Sequence, residues 1–343
     1  MKYLKHQAMS RALSVAGLVG IGLSLSATSA SAQTITGAGA TFPYPIYSKW
    51  FAAYARSGGA RINYQSIGSG AGLRQLKART VDFGASDAPL SNAEMSAMPA
   101  PVVHIPTVAG AVAIVYNLPG INSGLKLDAG TLSKIFLGRI ARWDDASIRA
   151  LNPGVHLPAK SITVAHRSDG SGTTNIFTNY LKAVSPAWAS TVGAGKSVNW
   201  PVGLGGKGSD GVAGIVAQTS GTIGYVELAY AAQNHVAVAA LKNRAGRFVS
   251  PSIDGVTAAA EAGARAMQRD VRVSIVNASG AGAYPISGFT YILLYKNQPK
   301  NAAMKQFLNW ALGPGQSYAR PLLYAPLPRS VVALDRKILA GVR

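Results

Sequence analysis

The sequence predicts an α/β fold of two lobes joined by strands. After the first 32 residues, the apolar pattern alternates strand, helix, strand, helix, strand as far as Ser86, an order typical of α/β proteins. About 311 residues remain, which suits two lobes of about 150 residues each. Residues 102–117 are almost continuously apolar and rich in Val and Ile. Such a run is typical of buried strands, here crossing between the lobes.

Residues 1–32 predict a cleaved secretory signal peptide. Lys2, Lys5 and Arg11 form a positive segment, residues 12–25 are apolar, and Ala30-Ser31-Ala32 supplies a small-residue cleavage site before Gln33. The alternative is a retained N-terminal anchor, which the cleavage site disfavours. The chain has no cysteine, so a lipidated cysteine anchor, disulfides and thiolate metal sites are excluded. We therefore expect an exported protein.

Periodicity and glycine positions predict the individual elements. Ile46, Trp50 and Ala53 lie on one helical face, whereas residues 62–67 alternate as in a strand. The elements predicted in the first part of the chain are a short strand entering a glycine turn at 33–40, a helix at 46–56, a strand at 62–67, a glycine loop at 68–72, a helix at 73–78, and a buried strand at 81–86 leading to Asp87. Those predicted further on are short helices at 131–136 and 144–151 around Trp143, a strand at 162–165, a helix at 175–182, a glycine loop at 203–211 before 212–217, a strand at 222–226, a helix at 255–267, a strand at 291–295, and a helix at 301–312.

The charge balance is strongly basic. Without the three leader cations, 30 Lys and Arg stand against 13 Asp and Glu, a net charge of about +17. Such a balance suggests anionic partners: nucleic acid, a membrane surface or small anions. The cations are scattered singly, however, and no nucleic-acid motif is recognised. A solvated basic surface therefore remains the simpler interpretation, although its field could concentrate an anionic ligand.

Three loop-to-helix junctions indicate a composite anion site. They are Ala40-Thr41-Phe42, Gly68-Ser69-Gly70 and Gly170-Ser171-Gly172-Thr173, and Arg167 precedes the third. The first N–H groups of a helix lack partners within it, and the helix dipole makes that end partly positive. Any one junction could be an ordinary turn or N-cap. Three of them with an arginine favour anion binding.

Asp87 is an unexpected residue in such a site, because a carboxylate repels an anion. The arrangement is reasonable if the anion carries a proton, because an ionised carboxylate can accept the hydrogen bond that this proton makes. Monohydrogen and dihydrogen phosphate carry one, whereas sulfate does not. Sulfate would leave buried acceptors without donors, at a cost of roughly 1–3 kcal/mol or more. The alternative for Asp87 is an N-cap before Pro89.

The chain resembles the high-affinity phosphate-binding proteins of Pst-type ABC transporters. The motifs span nearly all of the chain after the leader, in the expected order. They are residues 37–43 (GAGATFP), 63–65 (NYQ), 67–69 (IGS), 81–91 (VDFGASDAPLS), 143–145 (WDD), 151–154 (LNPG), 169–173 (DGSGT), 203–208 (GLGGKG) and 223–227 (IGYVE).

The resemblance implies a type II periplasmic-binding-protein fold, with two mixed-sheet lobes joined by hinge strands and the ligand in the cleft. It implies a first lobe of residues 33–107 plus 282–343 and a second lobe of 108–281. The implied phosphate-binding residues are Thr41, Phe42, Ser69, Asp87, Arg167, Ser171, Gly172 and Thr173. Asp169 is expected to orient Arg167 from behind, and Arg167 can contact phosphate with two N–H groups.

The resemblance also implies the partners. These are inorganic phosphate and the membrane permease and ATPase components of a phosphate ABC transporter. We expect a periplasmic monomer that is not an enzyme and binds no cofactor, metal or nucleic acid.

Three alternatives remain open. An extracellular phosphatase could use Ser171 with His166 or Asp169, but neighbours in one turn seldom form a triad. The histidines after the leader have no metal-ligand spacing, and no Gly-x-x-x-x-Gly-Lys-Ser/Thr loop is present. A receptor for sulfate, molybdate or tungstate is disfavoured by Asp87. A basic adhesion or nucleic-acid-binding protein is not required by any motif.

Overall fold

The computed structural model describes residues 34–343; the predicted signal peptide lies outside the described residues. The strands are β1 (Ile35–Gly39), β2 (Ile62–Ser66), β3 (Phe83–Ser86), β4 (Val102–Tyr116), β5 (Lys126–Leu127), β6 (Thr163–Arg167), β7 (Leu204–Gly206), β8 (Thr222–Glu227), β9 (Ala237–Val238), β10 (Ala240–Lys242), β11 (Phe248–Val249) and β12 (Ser287–Tyr295). The helices are α1 (Tyr44–Arg56), α2 (Ser69–Lys77), α3 (Asn92–Ser96), α4 (Ala129–Phe136), α5 (Ala146–Leu151), α6 (Gly172–Val184), α7 (Pro186–Thr191), α8 (Gly208–Gln218), α9 (Leu228–Gln233), α10 (Ile253–Met267), α11 (Asn301–Ala311) and α12 (Arg329–Ala340), with 3-10 helices at Pro314–Tyr318 and Arg320–Leu322.

A mixed nine-stranded sheet forms the scaffold. Its strand order is β2-β1-β3-β12-β4-β8-β6-β7, and β9 also pairs with β4. Pairing is parallel between β1 and its two neighbours and between β6 and its two neighbours, and antiparallel on both sides of β12. A second sheet has the order β11-β10-β5. The predicted α/β class is confirmed.

Strand β4 connects the two parts of the large sheet. Residues 102–111 of β4 pair with β12, and residues 112–116 pair with β8. Every one of its 15 residues is buried, as the apolar run predicts. We call the part containing β1, β2, β3 and β12 the first half and the part containing β6, β7 and β8 the second half. The fold is therefore two-lobed, with one strand shared by both halves.

Aromatic clusters fill the core of both halves. In the first half, the Phe51 ring packs against Tyr64, Phe83 and Phe307, with ring centroids 5.4–6.3 Å apart. In the second half, Phe177 stacks on Tyr225 at 4.5 Å, and further aromatic rings surround this pair. Each half thus has aromatic packing of its own, which is expected of separate lobes.

The prediction of glycine loops at 68–72 and 203–211 was wrong in part. The segment 68–72 is mostly the first turn of α2, which begins at Ser69. A Cβ at Gly72 would lie 2.3 Å from the Gly39 Cα, so glycine here permits close packing of α2 on β1. The segment 203–211 similarly contains β7 and the start of α8. At both places glycine lets two backbone segments pack closely against each other. The sequence pattern could not distinguish this role from loop flexibility.

Within residues 34–343, none of the helices combines the length and apolar character needed to cross a bilayer.

Candidate functional site

The predicted junctions meet where the two halves contact each other. The Thr41 and Ser209 hydroxyl oxygens lie 2.8 Å apart, and the Ser209 N–H donates to Thr41 Oγ1 at 3.2 Å. The Gly172 N–H donates to Ser69 Oγ at 3.1 Å. These contacts bring together the N-terminal ends of α1, α2, α6 and α8. Their dipoles all favour negative charge at the shared point.

The Thr41–Phe42 segment supplies backbone donors. Thr41 is 2% exposed and Phe42 is fully buried, yet their N–H groups have no acceptor among residues 34–343. Buried backbone N–H groups are nearly always paired in folded proteins. Two adjacent buried donors of this kind are suited to an anionic acceptor.

Arg167 is held by Asp169 on one side of its guanidinium. Nε and Nη2 donate to the two Asp169 oxygens at 2.7 Å each. The remaining nitrogen, Nη1, lies 3.5 Å from Thr173 Oγ1 and 3.4 Å from Ser209 Oγ. Burial alone would raise the pKa of Asp169, but the Arg167 hydrogen bonds outweigh it and lower that pKa. The ionised form of Asp169 is thus favoured, and Arg167 presents its other edge to the hydroxyls of the site.

Asp87 is a buried carboxyl group of the candidate site. It is 3% exposed, and Thr290 Oγ1 donates to its Oδ1 at 2.8 Å. Burial raises the pKa of Asp87 to about 7, although the Thr290 hydrogen bond and the Arg167 charge act to lower it. The N-cap alternative is wrong, because the next helix, α3, is capped by Ser91 in a capping box.

Gly172 is required for the close contact between the third junction and Asp87. A Cβ at Gly172 would lie 2.5 Å from Asp87 Oδ2 and 2.7 Å from the Asp87 backbone nitrogen. No side chain fits at that distance. Glycine therefore sets how closely the carboxylate approaches the N-terminus of α6.

The structure brings every predicted site residue to this place. Those that are buried are Thr41, Phe42, Ser69, Asp87, Arg167, Ser171, Gly172 and Thr173, and Asp169 lies behind Arg167. Ser171 is also the N-cap of α6, the alternative role considered for each junction, because its Oγ accepts from the Thr174 N–H.

Ser209 and Thr290 were missed by sequence reasoning. Ser209 directly follows the glycine motif 203–208 at the start of a helix, so the junction argument could have found it. Thr290 lies within a buried strand, 203 residues from Asp87. No sequence pattern distinguishes it from other strand threonines.

The residues considered for a phosphatase have other partners. His166 Nδ1 lies 3.1 Å from the Arg167 carbonyl oxygen, and its ring stacks on Trp200 at 4.8 Å. Ser171 Oγ is engaged by the helix cap. Among the residues described, no group of three or more His, Cys, Asp or Glu could hold a metal ion.

Comparison with known sequences identifies close relatives. A family model described as a PBP superfamily domain matches residues 25–314. The phosphate-binding protein PstS of Xylella fastidiosa (strain Temecula1) is 48% identical over 298 residues, covering 85% of this chain and 81% of the relative. PstS of Haemophilus influenzae is 47% identical over 298 residues, covering 86% and 89%. PstS of Methanocaldococcus jannaschii is 39% identical over 304 residues, covering 81% and 78%.

Solved structures share the fold. A high-affinity periplasmic phosphate-binding protein with bound phosphate aligns with a TM-score of 0.70 at 24% identity, covering 89% of this chain and 93% of that chain. A phosphate-binding protein from Stenotrophomonas maltophilia aligns with a TM-score of 0.68 at 21% identity, covering 89% and 94%. At these identities the likeness concerns the fold alone.

Proposed function

Because the chain belongs to the PstS family of phosphate-binding proteins in the PBP superfamily, we propose that it captures inorganic phosphate between its two halves and delivers it to an ABC-type phosphate importer. Its partners in this role are the permease and ATPase components of that importer. The site proposed for phosphate consists of the eight buried residues gathered there, with Asp169 orienting Arg167.

The proposal rests on two buried backbone N–H groups without an acceptor among residues 34–343, which lie in the same site as the buried Asp87 carboxyl group. The Thr41 and Phe42 N–H groups, with the Arg167 edge, can donate to anion oxygens. The Asp87 carboxylate, when ionised, can accept a hydrogen bond from a protonated oxygen of the anion. Phosphate meets both requirements, whereas a fully ionised sulfate meets only the first. The arrangement therefore favours phosphate over other oxyanions.

The titration that tests the proposal uses residues 33–343, freed of bound ligand by unfolding and refolding. Titration calorimetry with phosphate should give tight one-to-one binding, and sulfate should give no heat. Circular dichroism confirms that the refolded protein is native. Absence of phosphate heat with folded protein would overturn the proposal, and equal sulfate binding would overturn the role of Asp87.

We retain the lobe assignment, 33–107 plus 282–343 and 108–281, as part of the proposal. Contacts from both lobes to phosphate would hold the lobes together. The importer would recognise this closed form. Small-angle scattering should show a smaller radius of gyration with phosphate than without it. An unchanged radius would argue against closure.

We further propose that the protein is a periplasmic monomer without catalytic activity. Ser171 and His166 have the other partners described above, which disfavours a nucleophile–base pair. Incubation with p-nitrophenyl phosphate, with and without divalent metals, should release no nitrophenol. Light scattering after gel filtration should give the mass of one chain, and fractionation of the native cells should recover the processed chain in the periplasm.

A further inference from the structure

Three tyrosine hydroxyls donate to three successive carbonyls of the Thr41 loop. The Tyr64 hydroxyl donates to the Ala40 carbonyl oxygen at 2.8 Å, and that of Tyr230 to the Thr41 carbonyl oxygen at 2.6 Å. The hydroxyl of Tyr324 donates to the Phe42 carbonyl oxygen, also at 2.6 Å. These tyrosines come from β2, from α9 and from the segment after the second 3-10 helix. Long-range contacts from three parts of the chain therefore hold one short loop.

The geometry of the peptide bond gives these contacts a direct consequence. In a trans peptide the C=O of one residue and the N–H of the next lie in the same plane and point in opposite directions. The Tyr64 contact on the Ala40 carbonyl therefore sets the direction of the Thr41 N–H. The Tyr230 contact on the Thr41 carbonyl, together with the weaker contact of the Tyr44 N–H at 3.1 Å, sets the direction of the Phe42 N–H. These are the two buried donors without an acceptor among residues 34–343.

Tyr324 differs from the other two in one respect. It holds the carbonyl of Phe42, and the next residue is Pro43, which has no N–H. Its hydrogen bond stabilises the same loop but directs no donor. It therefore provides a comparison within the loop itself.

The hydroxyls stay protonated under ordinary conditions. Tyr230 and Tyr324 are at most 2% exposed and Tyr64 is half-buried. Burial raises the pKa of all three well above the ordinary tyrosine value. Each hydroxyl therefore keeps its proton and can donate to its carbonyl at ordinary pH.

We propose that Tyr64 and Tyr230 are positioning residues that aim the Thr41 and Phe42 N–H groups at the bound anion, an inference that rests on the proposed function. The Thr41 carbonyl also accepts from the Tyr44 N–H at 3.1 Å. Without the tyrosine hydroxyls, each peptide would therefore be held less firmly in the orientation that presents its N–H to phosphate. The hydroxyls restrict peptide rotation before phosphate arrives. The cost of ordering these peptides therefore subtracts less from the binding free energy. The hydroxyls contribute to affinity without touching the ligand.

The test compares single hydroxyl deletions by titration calorimetry. Tyr64→Phe and Tyr230→Phe should each weaken phosphate binding about tenfold, the value of one net hydrogen bond. Tyr324→Phe should weaken it less than about threefold. Two matched controls each delete a buried hydroxyl that donates to a carbonyl outside the Thr41 loop. They are Tyr284→Phe, whose partner is the Val112 carbonyl, and Tyr291→Phe, whose partner is the Val271 carbonyl. Both should bind as the wild type does.

Backbone resonances provide a readout that general destabilisation would not move. In the phosphate-saturated protein, Tyr230→Phe should shift the Phe42 amide proton upfield, because its hydrogen bond to phosphate lengthens. Tyr284→Phe should leave that resonance unchanged. Wild-type affinity in both Tyr64→Phe and Tyr230→Phe, or equal losses in the controls, would overturn the inference. Failure of the wild type to bind phosphate would instead overturn the proposed function.

Discussion

Asp87 is a buried carboxylate in a candidate site whose other groups are backbone N–H groups, hydroxyls and the Arg167 guanidinium. Its carboxylate is buried, accepts from Thr290 and contacts the N-terminal end of α6 closely. Burial raises its pKa to about 7 even with the Thr290 hydrogen bond in place, because a buried charge is poorly solvated. A proton on the anion would supply a further donor. In the proposed site, Asp87 would therefore be the residue that discriminates a protonated anion from an unprotonated one.

Replacing this acceptor should relax selectivity. Asp87→Asn keeps the side-chain size and adds two N–H donors, so sulfate lone pairs would no longer face an acceptor. Calorimetry should show measurable sulfate binding together with phosphate binding at least about tenfold weaker. Asp335→Asn changes a buried carboxyl outside the site and should still reject sulfate. Continued rejection by Asp87→Asn would contradict the role given to Asp87.

Gly172 is the second residue whose identity is constrained by the site. Gly172→Ala would place a Cβ 2.5 Å from Asp87 Oδ2, so the carboxylate or the end of α6 must shift. We expect phosphate affinity to fall at least about tenfold. Gly214→Ala, also within a helix, meets no atom within 4 Å. It should bind normally and gain about 0.5–1 kcal/mol of stability. Equal affinities in the two variants would contradict the close contact.

At the scale of elements, α12 contains an unusual buried carboxyl. Its buried residues Val331, Asp335 and Leu339 form one stripe spaced by four. Neither Asp335 oxygen has a hydrogen-bond partner among the described residues, and burial raises the pKa of this carboxyl to about 9. The folded chain thus retains this proton at pH values where the unfolded chain, with an ordinary value near 4, has released it.

Completing the apolar stripe should stabilise the protein in a pH-dependent way. Since the folded state binds the extra proton, the stability of the wild type relative to Asp335→Leu falls as pH rises from about 4 to about 9. Thermal unfolding should therefore show Asp335→Leu more stable by at least about 3 °C at pH 8, and by less at pH 5. A difference that does not grow with pH would mean that Asp335 is not held neutral.

At the scale of the whole molecule, the excess of cations should affect how fast phosphate arrives. Residues 33–343 have a net charge of about +17, which attracts anions at distances up to about the Debye length, near 10 Å at 0.1 M salt. Stopped-flow measurements should show the association rate constant falling several-fold between 10 mM and 500 mM NaCl, with the dissociation rate little changed. Sucrose at equal osmolarity serves as the uncharged control. An association rate independent of salt would leave the basic surface without a role in capture.

Local patterns account for most of what could be predicted. The apolar residues on one face of α1, the alternation of β2 and the long buried run of β4 are local signals, and the structure confirms all three. The short helices α3, α7 and α9 have five or six residues each. Helices this short have little periodicity. Length is not the whole reason, since α5 with six residues was predicted, whereas the 12-residue α12 was not. The glycine segments were ambiguous because glycine serves both turns and close packing.

The sequence by itself determined the α/β class, the crossing strand, the three junctions with Arg167 and the position of Asp87 after a buried strand, because each depends on residues adjacent in the chain. Only the tertiary structure decided which distant residues complete the site. Ser209 reaches Thr41 across 168 residues, Thr290 reaches Asp87 across 203, and Tyr230 reaches the Thr41 carbonyl across 189. Such contacts leave no periodic trace in the sequence, since they depend on how strands and helices pack rather than on local backbone preference.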